Sequence, residues 1–135
     1  MLKIAKSVEY ALLAIKYLSE ESGDRCLSSK EISDTLNIPF ELLSKILQKL
    51  VKHNFIVSQQ GTKGGYVLNR RPDDISLADI NYALGEKIQI TNCMFEGAGL
   101  NDCQRIDNCC LRNPLSKIQL KIEDLFRTTK VAEII

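Results

Sequence analysis

SSKEISDTLNIPFELLSKILQKLVKHNFIVSQQGTKGGYVL, residues 28–68, is the stretch that decides the fold. Ser28 or Ser29 can cap a helix, and Ser28 with Glu31 makes a capping-box pattern. Ile32 and Leu36 mark that helix's buried side. Asn37-Ile38-Pro39 reads as a turn, with Pro39 suited to the first position of the next helix. From Phe40 the apolar residues Leu43, Ile46, Leu47, Leu50 and Val51 keep a helical period, and Asn54 can end it. Two helices joined by so short a turn form a helix-turn-helix. The period then changes. Residues 56–60 and 66–69 read as strands around the glycine-rich tip Gly61-Thr62-Lys63-Gly64-Gly65. A hairpin placed directly after a helix-turn-helix is a wing.

Upstream, Val8, Leu12, Ile15 and Leu18 recur at helical spacing with Ala11 and Ala14, and Gly23 and Asp24 end that helix. Downstream, Arg70 to Asp74 is a charged linker, and Ser76 with Asp79 begins a short helix to about Leu84. Residues 85–110 show little periodicity. A last helix starts near Pro114, where Leu115, Ile118, Ile122 and Leu125 follow the spacing of a helix-helix seam. Three turns are too few for an isolated coiled coil, so the seam predicts pairing with a second copy. The expected fold is mainly α with a small β-hairpin. A winged helix-turn-helix domain is expected over 1–75, and an irregular loop with a long C-terminal dimerisation helix over 76–135.

The chain has 135 residues, 44% hydrophobic and 26% charged, which is one domain of ordinary globular balance. Its formal charge of +1 excludes a generally basic tail or an acidic disordered protein. No run of apolar residues is long enough for a membrane span, and Lys3 and Lys6 interrupt any leader-like stretch, so the expected address is the cytoplasm. The net charge hides a local bias. Between Glu41 and Asp73 there is no acidic residue, while Lys45, Lys49, Lys52, Lys63, Arg70 and Arg71 carry +6. Lys45, Lys49 and Lys52 sit four and three apart on the second helix of the helix-turn-helix, the element that enters a major groove in such motifs. A solvated helix face is the plainer reading of three spaced lysines; the coincidence of turn, wing and charge favours double-stranded DNA. Glu41, Ser44, Lys45 and Gln48 are the candidate base readers. Lys49 and Lys52 are candidate phosphate contacts, Lys63 at the wing tip can meet phosphate or the minor groove, and Ser29, Gln60 and Thr62 are further candidate DNA-binding residues.

Of five cysteines, Cys26 stands alone and reads as a small buried residue, whereas Cys93, Cys103, Cys109 and Cys110 fall within residues 93–110. Clustered thiols in a reducing compartment suit a metal or redox site. Nine and five residues separate Cys93, Cys103 and Cys109, without the close knuckle pairs usual for zinc. Spacing alone admits an iron–sulfur cluster, structural zinc, or redox-active or unliganded thiols. An enzyme is not expected: there is no Cys-x-x-Cys, no phosphate-binding glycine loop, and no histidine near the cysteines.

The helix Ser7-Val8-Glu9-Tyr10-Ala11-Leu12, the helix-turn-helix, the wing ending Gly64-Gly65-Tyr66-Val67-Leu68 and the three-cysteine loop follow in one order. That order resembles the bacterial IscR/NsrR/RsrR/RirA family of winged-helix transcription regulators over nearly the whole chain. The longer first gap between cysteines looks more like regulators associated with SUF-type cluster assembly. The resemblance implies a homodimeric regulator, a repressor by expectation, on a near-palindromic promoter site. It takes no small-molecule substrate and makes no membrane contact. It also implies a 2Fe–2S or 4Fe–4S cluster on Cys93, Cys103 and Cys109 that senses cluster status, oxidation or nitrosative stress. Cluster-free members respond through thiols or a ligand instead. Arg112 stands where some members place a histidine, and the chain's single histidine, His53, reads as a helix-end residue. Glu9, donated across the dimer, matches the acidic ligand of other members, although an exposed salt-bridge role suits it as well. Cys110 is a third option for the fourth ligand, or a core or spare thiol. Gln60 before Gly61 and Glu41-Leu42-Leu43-Ser44 at the recognition helix depart from the family's usual residues, so no operator sequence carries over.

Overall fold

Buried aliphatic side chains at helical spacing set the frame of the chain, a computed structural model of which describes residues 2–21, 23, 25–94 and 97–135. Helix α1 (Lys6–Glu21) buries Val8, Ala11, Ala14, Ile15 and Leu18, and extends beyond the expected 8–18 at both ends. Of its two expected terminators, Asp24 lies outside the described residues. Helix α2 (Ser29–Leu36) is capped by Ser28, whose side chain accepts from the Glu31 amide at 3.1 Å. Asn37 closes it in the left-handed region (φ 53°), a conformation that asparagine tolerates better than most residues. The buried Ser33 hydroxyl donates to the Ile38 carbonyl at 2.6 Å and locks the turn.

Helix α3 (Phe40–Lys52) buries Leu43, Ile46, Leu47 and Leu50. Pro39 is not its first residue, as expected, but the cap before it. The Pro39 ψ of 129° keeps it outside the helix while its carbonyl accepts from Leu43. Asn54 ends the helix with a positive φ of 62°. Strands β1 (Ile56–Gln59) and β2 (Gly65–Leu68) pair antiparallel with Ile56 opposite Leu68 and Gln59 opposite Gly65. The hairpin is moored to the body by a bridge between Leu27 and Tyr66, with N–H···O distances of 3.0 and 2.7 Å. Close approach there explains the glycine pair. A Cβ on Gly64 would lie 2.3 Å from the Gln59 carbonyl oxygen, and one on Gly65 2.5 Å from the Leu27 carbonyl.

The charged linker folds into a 3-10 turn over Pro72–Asp74. Helix α4 (Leu77–Ala83) has a complete capping box between Ser76 and Asp79, with bonds of 3.0 and 2.9 Å. The chain's end returns beside it: Leu77 N–H donates to Thr129 and Val131 N–H to Ile75. Ile75, Leu77, Ile80, Leu84 and Val131 thereby join the core built by α1 to α3, so the apolar interior runs across position 75. Residues 86–89 are irregular, the described residues from 90 to 110 form mostly turns and bends, and Ile106 is the one buried apolar side chain among those described there. Helix α5 (Arg112–Thr128) starts two residues before Pro114. No helix among the described residues is long and apolar enough to cross a membrane.

Candidate nucleic-acid interface and thiol loop

On α3 the buried residues point one way and Glu41, Lys45, Gln48 and Lys52 lie exposed on the opposite side. Ser44 is half-buried at the flank. Lys49 departs from the expected single basic face: its ammonium donates to the Leu84 carbonyl at 3.3 Å, the cap of α4. A hundred degrees per residue turns Lys49 away from the centre of the outward face toward its neighbour. His53 caps α3 as a helix-end residue, its ring 6.3 Å from Phe55 and edge-on to Tyr82 at 5.7 Å.

At the wing, Gln60, Thr62 and Lys63 are exposed at or beside the tip. A cleft of about 340 Å³ opens between the hairpin and the start of α2, with Ser28 and Ser29 on one wall and Gln59, Gln60 and Gly61 on the other. Ser29 and the wing are thus brought together, whereas sequence places them thirty positions apart. Cys26 is not the fully buried residue expected. It is half-buried, and its thiol donates to Gln59 Oε1 at 2.9 Å, so a hydrogen bond rather than packing decides its place.

The six cations of the acid-free run divide into two groups. Arg71 pairs with Asp73 at 2.9 Å, Arg70 donates to the Asp74 carbonyl and lies over the Phe55 ring, and Lys49 holds α4. Lys45, Lys52 and Lys63 make no ion pair or side-chain hydrogen bond among the described residues, and all three are exposed. Unpaired exposed cations on a helix face and a hairpin tip attract a polyanion without first breaking a protein contact.

The thiols lie at the other end of the chain. Cys93, Cys103 and Cys109 are free and half-buried, and Cys110 is exposed, which removes the core role considered for it. Thr91 Oγ1 lies 3.2 Å from Cys93 Sγ. Asp102 folds the middle of the loop by accepting from Gly99 N–H, and Cys103 N–H bonds the Gly99 carbonyl. Cys109 lines an open cleft of about 360 Å³ with Ile106 and Arg112. Among the described residues no three or more His, Cys, Asp or Glu side chains are gathered to hold a metal ion. Glu9 pairs with Lys6 at 2.7 Å on its own helix, and this hydrogen bond and charge hold the Lys6 ammonium above its ordinary pKa. That pair is exposed on both sides, so giving it up costs little.

Gln119 is a residue beside the thiol loop that sequence reasoning missed. It is 4% exposed, the one buried residue of α5, and it holds residues 88–90, which lead into the loop. Its Oε1 accepts from Ile90 N–H at 2.9 Å, and its Nε2 donates to the Ile88 carbonyl and to Glu123 at 2.7 Å. A signal existed: Leu115, Gln119, Ile122 and Phe126 share helical spacing, with a polar residue at an apolar position. The expected seam of Leu115, Ile118, Ile122 and Leu125 is accordingly split. Leu115 and Ile122 are half-buried, whereas Ile118 and Leu125, with Leu111, form an exposed apolar ridge.

The model of one protein family, described as Rrf2, iron-dependent transcriptional regulator, matches residues 4–135. The chain is 25% identical over 134 residues to the HTH-type transcriptional regulator IscR of Sodalis glossinidius, covering 99% of this chain and 79% of that one. Among solved structures, CymR, the global cysteine regulator of B. subtilis, superposes with a TM-score of 0.73 at 25% identity, over 99% of this chain and 96% of that one. IscR of T. potens shares the fold at a TM-score of 0.70 and 22% identity, over 98% and 85% of the two chains. These proteins are transcriptional regulators, not enzymes.

Proposed function

Because the chain belongs to the Rrf2 family of transcriptional regulators, we propose that it is a homodimeric promoter-binding regulator, acting as a repressor, whose grip on DNA is set by an iron–sulfur cluster. The observation that carries this reading is the placement of three free, half-buried thiols on one loop, immediately after a segment clamped to α5. Glu41, Ser44, Lys45 and Gln48 enter the major groove, with Lys45 and Lys52 also near phosphate. Ser29, Gln60, Thr62 and Lys63 meet the backbone beside the wing, and Lys49 acts from the flank. The exposed ridge of Leu111, Ile118 and Leu125 suits burial against a second copy, which would set two recognition helices on one duplex face.

The donor chemistry fits the cluster: Cys93, Cys103 and Cys109 supply soft thiolates of the kind that hold iron–sulfur centres, and Glu9 of the first helix offers an oxygen across the dimer, with Cys110 as substitute. Among the described residues of each protomer these groups are not gathered at one point, so ligation requires Cys93, Cys103 and Cys109 to come together. When bound, the cluster supplies a centre whose presence and oxidation state respond to iron, oxygen and nitric oxide. The chain's own residues convert that into geometry. Gln119 fixes residues 88–90 on α5, Cys93 follows three residues later, and Lys49 ties the end of α4 to the recognition helix. Closing the loop therefore bears on both the dimer helix and the DNA-reading helix, a coupling of the order of 1–3 kcal/mol in such systems.

A second reading keeps the DNA-binding role and omits the metal, the thiols acting as a redox- or ligand-responsive switch. The likeness to the cysteine regulator CymR and the ungathered thiols favour it. Anaerobic reconstitution with ferrous iron and sulfide, followed by visible absorption and iron and sulfide analysis, separates the two. The cluster reading expects colour in the wild type and its loss in Cys93→Ala, Cys103→Ala and Cys109→Ala. A colourless wild type overturns it, and a Cys93→Ala protein with full cluster content overturns the ligand assignment.

A further inference from the structure

The exposed surface of α3 changes character along the helix. From its middle onward it presents Lys45, Gln48 and Lys52, whereas its first turn presents Phe40, Glu41 and Leu42, with no cation. Phe40 is 52% exposed, while Phe55 is buried and Phe126 packs on the shared core. Core burial therefore does not account for an aromatic ring at this position. Phe40 is also the first residue of the helix. Helical side chains lean toward the N-terminus, so one at the first position leans past the helix end. Ser44 follows one turn on, about 40° round the axis, and Glu41 lies about 100° round. Leu42 is about 200° from Phe40, on the side where Lys49 turns to α4.

Charge decides what this end can meet. The Glu41 carboxylate repels phosphate, while Lys45 and Lys52 attract it farther along the helix. An apolar and acidic end suits base edges instead, which the N-terminal residues of a recognition helix contact in helix-turn-helix motifs. In the major groove the apolar group on a base edge is the C5-methyl of thymine. We propose that Phe40 reads thymine through that methyl, a specificity-determining contact beside the polar readers Glu41 and Ser44. The proposal rests on the DNA-reading role of α3 given above and adds an apolar reader to it. A methyl taken out of water against the ring is worth about fourfold in affinity for each thymine so read.

The test uses the full chain, anaerobically purified and also reconstituted with iron and sulfide, to select sites from a random-sequence duplex library. Each thymine of the enriched site is then replaced singly by deoxyuridine, which removes the methyl and keeps the pairing edge. The wild type is expected to lose about fourfold at one or more positions. Phe40→Ala, a change at an exposed residue, should bind the thymine site less well and show no further loss with uracil there. Leu42→Ala, on the other side of the same turn, should keep the full uracil effect. The Phe40 contact is overturned if no deoxyuridine weakens the wild type, if Phe40→Ala keeps the whole effect, or if Leu42→Ala abolishes it too. Each of those results leaves DNA reading by α3 standing. If neither form of the protein enriches a site, the DNA-reading role itself fails, and the Phe40 contact with it.

Discussion

Residues 6–84 and residues 85–128 are built on different terms. In the first stretch α1, α3 and α4 each bury several apolar side chains and α2 adds Ile32, and one core takes in Val8, Ile15, Leu18, Leu47, Leu50 and Ile80. In the second, Ile106 and Gln119 are the buried residues among those described, although Leu111, Ile118, Leu120 and Leu125 are apolar and exposed. The first stretch is held by that shared core. The second presents thiols, an apolar ridge and one polar clamp, and its helix relies on a hydrogen-bonded glutamine where other helices rely on packing. A loosely packed region with exposed apolar surface suits partners and signals, whereas a well-packed one can carry its exposed cations as a rigid reader.

Three substitutions sharpen that contrast. Leu47→Ala, in the fully buried centre of α3, should cost about 2–5 kcal/mol in urea unfolding, because a cavity is added to lost burial. A loss under ~1 kcal/mol would show the reading domain to be less tightly packed than described. Gln119→Ala should cost about 1–3 kcal/mol by leaving the Ile88 and Ile90 backbone groups unpaired, with faster hydrogen exchange at the Ile90 amide as its local mark. Unchanged exchange there would break the link drawn between α5 and the thiol loop. Ile118→Ser, on the exposed ridge, should change the stability of the isolated protomer by no more than ~0.5 kcal/mol. Sedimentation should nonetheless move from dimer to monomer; a dimer as tight as the wild type would remove the ridge from the interface.

The electrostatic reading has its own check. Lys45→Ala, Lys52→Ala and Lys63→Ala should each lower the slope of log affinity against log salt by about one, since each removes about one phosphate contact.

The helix-turn-helix and wing were legible because each rests on local chemistry. Ser28 and Ser76 cap where they stand, Asn37 and Asn54 tolerate left-handed backbone, and the aliphatic period marks the buried face. Boundaries moved by one or two residues at Pro39 and Arg112, where neighbouring contacts outweigh the local signal. The candidate site was legible as a set of residue types, not as an arrangement. Periodicity placed Lys45, Lys49 and Lys52 on one helix side, but only packing against α4 turned Lys49 aside to the Leu84 carbonyl. Cys26 read as a small apolar residue because nothing nearby in the chain announces Gln59, thirty-three positions on.

What sequence by itself determined is the succession of helices and hairpin, the acid-free run of six cations, and the clustering of thiols after residue 92. These depend on neighbours within a few positions, where propensity, capping and charge act directly. Tertiary structure alone decided which cations remain unpaired and that Gln119 clasps the entry to the thiol loop. Such pairings join residues far apart in the chain, and chain closure, not local preference, chooses among them.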